Sequence, residues 1–268
     1  MIVMDSAPAL KRLLVLTGFT GTSLAMVQRM VLAFLLHAGR MTCSTAAGSL
    51  ASQPVHRAQV ARFLARRRWQ QDDFNEPLRR ALLQLESREG KFLFLVDATQ
   101  VSQSGKKTEN TFSTGHRQRR PRKGRRYNQK KIARKTCHSF TCGLLITPSG
   151  LRIPFQIPHY TKEYCQRRGL RHRTTAQAAA DLIRDLPLPE DAEVVVLGDT
   201  AYDAEVVQQA CQDRGDTWIF PANPERVYAG AKGRRPRLRS RLKEWKRLSP
   251  STVRLHFATG PYAEYRRL

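Results

Sequence analysis

Apolar positions fall into two kinds of run along this chain, and the change from one to the other divides it. From residue 10 to 40 they recur at helical spacing, most densely in Met26-Val27-Gln28-Arg29-Met30-Val31-Leu32-Ala33-Phe34-Leu35-Leu36, with Gly39 as a natural stop, which predicts one long helix. Shorter helical patterns follow over 44–50, 56–67 and 72–86. Beyond Ser87-Arg88-Glu89-Gly90 the pattern becomes one of short apolar runs bounded by turn residues, which read as buried strands. Strands are predicted over 91–97, 135–146, 151–157, 193–199 and 217–220, with strand-like stretches at 252–258 and 262–268. Thr147-Pro148-Ser149-Gly150 has the composition of a hairpin turn. Helices are predicted over 174–186, capped by Thr174 or Thr175, and over 203–214, stopped by Gly215. The expectation is therefore an α/β chain: a helical region over 1–88, then a mixed sheet with flanking helices over 89–268.

Two of the strand patterns share one design. Residues 91–97 read Lys-Phe-Leu-Phe-Leu-Val-Asp and residues 193–199 read Glu-Val-Val-Val-Leu-Gly-Asp, so each apolar run delivers a carboxylate at its end. Residues 98–105 are polar and turn-like, which places Asp97 at a strand end. If the two strands are neighbours, Asp97 and Asp199 emerge together at one sheet edge. Two carboxylates there repel unless a divalent cation lies between them. Each aspartate taken singly also fits a strand-end or capping role; the repeated pattern, with Thr99 and Thr200 close behind, favours a site. Hard oxygen donors favour magnesium or manganese.

Charge then names the substrate class. The 268 residues carry 47 Lys and Arg against 22 Asp and Glu, a net charge of +25, which predicts attraction to a polyanion and makes nucleic acid the leading partner. Eleven basic residues and no acid lie within 117–135; among them Arg119, Arg120, Arg122, Lys123, Arg125, Arg126, Lys130 and Lys131 are read as contacts to phosphate. A second basic stretch runs from 226 to 247. The uncharged stretch 13–28 is too short and too polar to span a membrane, and with Asp5 ahead of it and no cleavage site it is a poor secretory signal. A cytoplasmic protein without a membrane partner is expected. Five scattered cysteines fit a reducing compartment, and the spacing of Cys137 and Cys142 matches no standard zinc pair.

In the helical region a short helix, a break at Ser52-Gln53-Pro54 and a basic helix trace the outline of a helix-turn-helix over 44–67. Val60, Phe63 and Leu64 are then expected inward, with His56, Arg57, Gln59 and Arg62 outward, Arg57 and Arg62 toward DNA. A small helical bundle with a solvated basic face accounts for the same pattern.

At these residues the sequence resembles the DDE transposases of bacterial insertion sequences. Val96-Asp97-Ala98-Thr99 with Ser104-Gly105-Lys106-Lys107-Thr108 looks like the first acid of that family and its downstream segment, and Leu197-Gly198-Asp199-Thr200-Ala201-Tyr202 is similar to the second. Phe63-Leu64 and Arg68-Trp69 resemble its DNA-end-binding region. The resemblance implies a ribonuclease-H-like catalytic domain and metal ligation by Asp97 and Asp199. It implies magnesium- or manganese-dependent cleavage of double-stranded DNA at element ends, and strand transfer into a target. A homodimer in a synaptic complex, associated with the bacterial nucleoid, is the matching assembly. The family completes its site with a glutamate on a later helix, often after a β-rich insert. Here 226–268 reads as the start of such an insert, and Glu225, Glu244 and Glu264 are the remaining candidates. The expectation is a truncated transposase that keeps DNA affinity and loses cleavage. The alternatives are a non-catalytic DNA-binding protein and a ribonuclease-H-like nuclease complete in itself with Glu244 or Glu264.

Overall fold

The computed structural model describes residues 2–37, 39, 41–48, 55–65, 71–86, 89–103, 108–115, 134–222, 225, 227, 237–240, 252–256 and 262–266. Two compact units divide the chain, Met1–Glu86 and Ser87–Leu268. Among the described residues no helix is long and apolar enough to cross a membrane.

The first unit holds helices α1 (Ile2–Val15), α2 (Gly21–Leu36), α3 (Cys43–Gly48), α4 (Arg57–Ala65) and α5 (Gln71–Gln84). The periodicity over 10–40 thus makes two helices rather than one. Gly18 and Gly21 adopt φ of 78° and 51°, a left-handed backbone that ends a helix, and the Thr17 hydroxyl donates to Leu14 O at 2.5 Å as α1 closes. Val60 of α4 packs with Ala33, Ala46 and Ala47, and Phe63 packs against Leu14, Leu24 and Val27, so α4 is pinned through one face. Leu64 does not join them: it is 39% exposed, because the helical turn that buries Val60 and Phe63 carries Leu64 past the contact. Arg57 and Arg62 are exposed, with Arg62 Nε donating to Ala58 O at 3.2 Å.

In the second unit come strands β1 (Phe92–Ser102), β2 (Phe112–Gly115), β3 (Arg134–Ile146) and β4 (Arg152–Pro158), then helices α6 (Lys162–Arg168) and α7 (Thr175–Arg184). Strand β5 (Val194–Gly198), helix α8 (Glu205–Arg214) and strand β6 (Thr217–Ile219) complete a six-stranded sheet of order β2-β3-β1-β5-β6, with β4 also paired to β3. β1, β5 and β6 run parallel, while β3 is antiparallel to β1, β2 and β4. A separate hairpin joins β7 (Thr252–His256) to β8 (Tyr262–Arg266).

Alternation along β1 and β5 sends Phe92, Phe94, Val96, Val194 and Val196 to a face where all five are buried, whereas Leu93, Leu95, Val195 and Leu197 are half-buried on the other. Helix α7 contributes Ala178, Ala179, Ala180, Leu182 and Ile183 to the core, and α8 adds Val207, Ala210 and Cys211. A capping box at Thr174 and Gln177 starts α7. Phe94 meets Phe155 edge to face, centroids 5.8 Å apart, and the Phe94 ring crosses the place where a Cβ on Gly143 would stand.

Two further expectations change in the second unit. β1 does not stop at Asp97 but continues to Ser102, because the β-prone segment Cys137–Cys142 of β3 goes on pairing with it through Ser102↔Cys137. And helix α6, with Thr161 as its cap and Gly169 in the left-handed conformation at its end, occupies a segment whose sequence carried no helical prediction.

Behind the sheet end, buried His159 bonds the Thr141 hydroxyl through Nε2 at 2.7 Å. Burial lowers the pKa of this imidazole, partly offset by a hydrogen bond to the Arg173 backbone and reinforced by His172.

Replacing Gly143 by alanine forces a methyl group into the Phe94 ring, and such overpacking is expected to lower the unfolding free energy by roughly 1–3 kcal/mol. Urea denaturation measures it, and a change within error would show that the ring does not need the glycine. The unfolded chain protonates His159 before the folded one does, so the stability held by the neutral ring is complete above about pH 6.5 and is lost as pH falls further. Thermal melts at stepped pH are expected to show this acid loss diminished in His159→Gln.

Candidate active site

The parallel pairing of β1 with β5 brings the two predicted acids together. Its last registered pair is Val96↔Gly198, so the next residue on each strand is an aspartate, Asp97 on one and Asp199 on the other. Neighbouring strands lie about 4.8 Å apart, which sets the scale of the separation at that level. Both residues are exposed and both continue the half-buried series of their strands, Leu93, Leu95, Asp97 and Val195, Leu197, Asp199. Asp97 is therefore a mid-strand residue, placed where β1 keeps its β3 neighbour and loses β5.

Each carboxylate is oriented by a local amide. Asp97 Oδ1 accepts from Ala98 N at 2.7 Å, and Asp199 Oδ1 accepts from Ala201 N at 2.9 Å, as the cap of the short 3-10 turn Thr200–Tyr202. Among the described residues neither carboxylate has a cationic partner, and the second oxygen of each accepts no hydrogen bond. Two outward carboxylates, each with a free oxygen and no counter-charge, are a donor set that fits a hard divalent cation. No group of three His, Cys, Asp or Glu able to hold a metal occurs among the described residues.

Tyr202 supports the pair from the buried side. Its ring stands 3.1 Å from where a Cβ on Gly198 would be, with the Phe220 ring at the same distance, so a side chain at residue 198 would press on both rings. The phenol is held neutral: burial raises its pKa most, and the Asp97 and Asp199 carboxylates raise it further, as does Cys142. Among the described residues its buried hydroxyl has no hydrogen-bond partner, while the neighbouring Thr141 hydroxyl, which counters the shift, is bonded to His159. Cys142 lies opposite Asp97 in the β1–β3 register, and burial first, then that carboxylate, raises its thiol pKa. The 3-10 turn leads into α8 through Asp203, which is buried and accepts from Gln208 Nε2 at 2.8 Å.

Tyr202 and Gly198 were legible only as neighbours of Asp199. The signal was a glycine ending an apolar run and an aromatic three residues beyond the acid. Cys142 carried no signal, because its place opposite Asp97 depends on strand register.

The other predicted residues divide by position. Arg57 and Arg62 are on α4 in the first unit. Arg119, Arg120, Arg122, Lys123, Arg125, Arg126, Lys130 and Lys131 lie outside the described residues, as does Glu244. Their segment joins β2 to β3, whose ends pair as Gly115↔Arg134 at the sheet edge toward which β1 runs. Glu225 is taken up by Arg237 and by Arg239 at 3.0 Å, and Glu264 stands in β8, opposite Arg254 and outside the six-stranded sheet.

A mixed sheet with flanking helices and two strand-borne acids is the ribonuclease-H-like arrangement, and the family model described as DDE superfamily endonuclease matches residues 15–259. Comparison with curated proteins gives no match. The family match covers most of the sequence, and with it the chain belongs to the DDE superfamily endonucleases, transposase-type nucleases that act on DNA with divalent metal ions.

Proposed function

We propose that this chain is a transposase of the insertion-sequence type, with Asp97 and Asp199 as its metal ligands and magnesium or manganese as the ion. The observation that carries the reading is the pairing Val96↔Gly198, which sets two carboxylates, without a cationic partner among the described residues, at one level of the sheet. A divalent ion held there supplies a water of lowered pKa and stabilises charge on the leaving oxygen of a phosphodiester. The chain's own residues do the rest. Ala98 and Ala201 amides fix one oxygen of each carboxylate, and the other oxygen of each would be available to hold a cation. Tyr202, neutral and buried, adds no charge beneath them. Arg57 and Arg62 on α4 and the basic segment around Arg119–Lys131 supply contacts to double-stranded DNA at the element ends and at the target, and strand transfer by two copies in a synaptic complex follows from the same reading.

Cleavage by this chain is expected to be impaired. Glu225, the described glutamate nearest after β6, is spent on Arg237 and Arg239, and Glu264 belongs to a separate hairpin, so among the described residues the site is short of its third acid. Two carboxylates hold a hard cation less tightly than three. The same observation favours a second reading, a DNA-binding protein that occupies element ends without cutting them.

Manganese binding followed by electron paramagnetic resonance is expected to weaken roughly tenfold or more in Asp97→Asn and in Asp199→Asn, as loss of a ligand should exceed the loss of a supporting contact. Unchanged binding in both variants would remove the site. Nicking of supercoiled plasmid is expected to be slow, to require magnesium or manganese, and to vanish in either variant. Nicking that persists in either refutes the assignment, whereas salt-sensitive DNA binding with no nicking selects the second reading.

A further inference from the structure

Between β4 and α7 the chain makes an excursion that the catalytic reading leaves unused. Residues 160–173 read Tyr-Thr-Lys-Glu-Tyr-Cys-Gln-Arg-Arg-Gly-Leu-Arg-His-Arg, five Lys or Arg and one histidine against a single acid. The excursion is anchored at both ends. His159 bonds the backbone of Arg173, and Asn110, itself at φ 56°, donates from Nδ2 to His159 O and accepts from Thr161 N, each at 2.9 Å. Cys165 is buried beneath α6, and Tyr160 stacks on Tyr164 with centroids 5.4 Å apart. The Arg167 and Arg168 guanidinium carbons lie 6.0 and 5.6 Å from the Tyr164 ring centroid, so an aromatic platform limits where these cations go.

Some of the charge is internal to the fold. Arg168 pairs with Glu109 at 3.4 Å, and Arg173 pairs with Asp181 at 2.7 Å. Lys162, Arg167 and Arg171 are exposed and have no acidic partner among the described residues. Exposed cations on a loop anchored at both ends, uncompensated among the described residues, suit an extended array of anions better than solvent alone.

Strand register gives the loop its position. Asp97 lies opposite Cys142, which lies opposite Gln156, so β4 passes the level of Asp97 and ends two residues later at Pro158. β4 and β1 are both antiparallel to β3 and therefore run the same way. The excursion consequently leaves the sheet at the edge that carries Asp97 and Asp199, two strand spacings or about 10 Å to the side of β1. Along a duplex that offset corresponds to about three base pairs.

We propose that the 160–173 excursion is a docking surface for the backbone of double-stranded DNA, in which Lys162, Arg167 and Arg171 each engage a phosphate beside the carboxylate pair. Tyr164 acts as a positioning residue for Arg167. Only the distance to a scissile phosphate rests on the cleavage reading; the surface itself rests on charge and anchoring.

Binding to a labelled 30-base-pair duplex of arbitrary sequence, in EDTA and over a range of salt, tests the surface without any need for cleavage. Loss of three phosphate contacts in Lys162→Ala/Arg167→Ala/Arg171→Ala is expected to reduce the slope of log Kobs against log salt by about 2 to 3, since each phosphate contributes about 0.9. The control Lys91→Ala/Arg152→Ala removes exposed cations from the strand starts, at the opposite edge of the sheet, and is expected to leave the slope unchanged. The charge-preserving Lys162→Arg/Arg167→Lys/Arg171→Lys is expected to keep the slope of the unaltered chain, which guards against a folding artefact. A fall smaller than about 0.9 in the triple alanine variant, or an equal fall in the control, overturns the proposal. Absence of nicking in the metal assay leaves this result standing, and an unchanged slope alongside metal-dependent nicking overturns this surface alone.

Discussion

The parallel contact between β1 and β5 is the constraint on which the rest of the second unit depends. It is held by two apolar runs that bury Phe92, Phe94, Val96, Val194 and Val196 on one face, and it is set at its start by Phe92 N donating to Glu193 O at 2.8 Å. Lys91 and Glu193 pair at 2.6 Å across the same end, an exposed contact that contributes register more than stability. A slip of one residue would move every buried side chain to the other face. The register that satisfies the core is thus the one that sets Asp97 beside Asp199, and the hydrophobic effect positions a pair of charges that would otherwise avoid each other.

The edge so formed works by contrast of charge. Two carboxylates without cationic neighbours among the described residues sit where β1 loses β5, while the chain as a whole carries +25. Local cations would neutralise the pair, so in the proposed reading the basic residues that contact DNA stand to the side. The excursion after β4 leaves the sheet at this edge, on the far side of β3 from the aspartates. Beneath, Tyr202 and Thr141 fill the space with neutral groups, and two aromatic rings pack close against Gly198.

How far the chain could be read from its residues varied with the kind of information needed. Period-2 and period-3.6 patterns located β3, β4, β5, α7 and α8 to within a few residues, and Thr174 and Gly215 marked their helix ends. Failures came where a local pattern competed with a partner. Residues 98–102 look like a turn and become strand because β3 continues alongside them; 10–40 looks like one helix and becomes two because glycines at 18 and 21 take positive φ. Helix α6 was invisible because a seven-residue basic segment has too little apolar periodicity to signal, and its formation rests on Thr161, Gly169 and one buried cysteine.

The sequence by itself determined the fold class and the family, and it singled out Asp97 and Asp199 as candidates, because burial periodicity and an acid closing each apolar run are local properties. Only the tertiary structure decided that Asp97 is a mid-strand residue, that Tyr202 lies against Gly198, that Glu225 is committed to arginines, and that the 160–173 loop leaves the sheet at the carboxylate edge. Each of these depends on which strand lies beside which and in what register. That is a property of long-range pairing, set by the packing of the whole core, and no window of residues contains it.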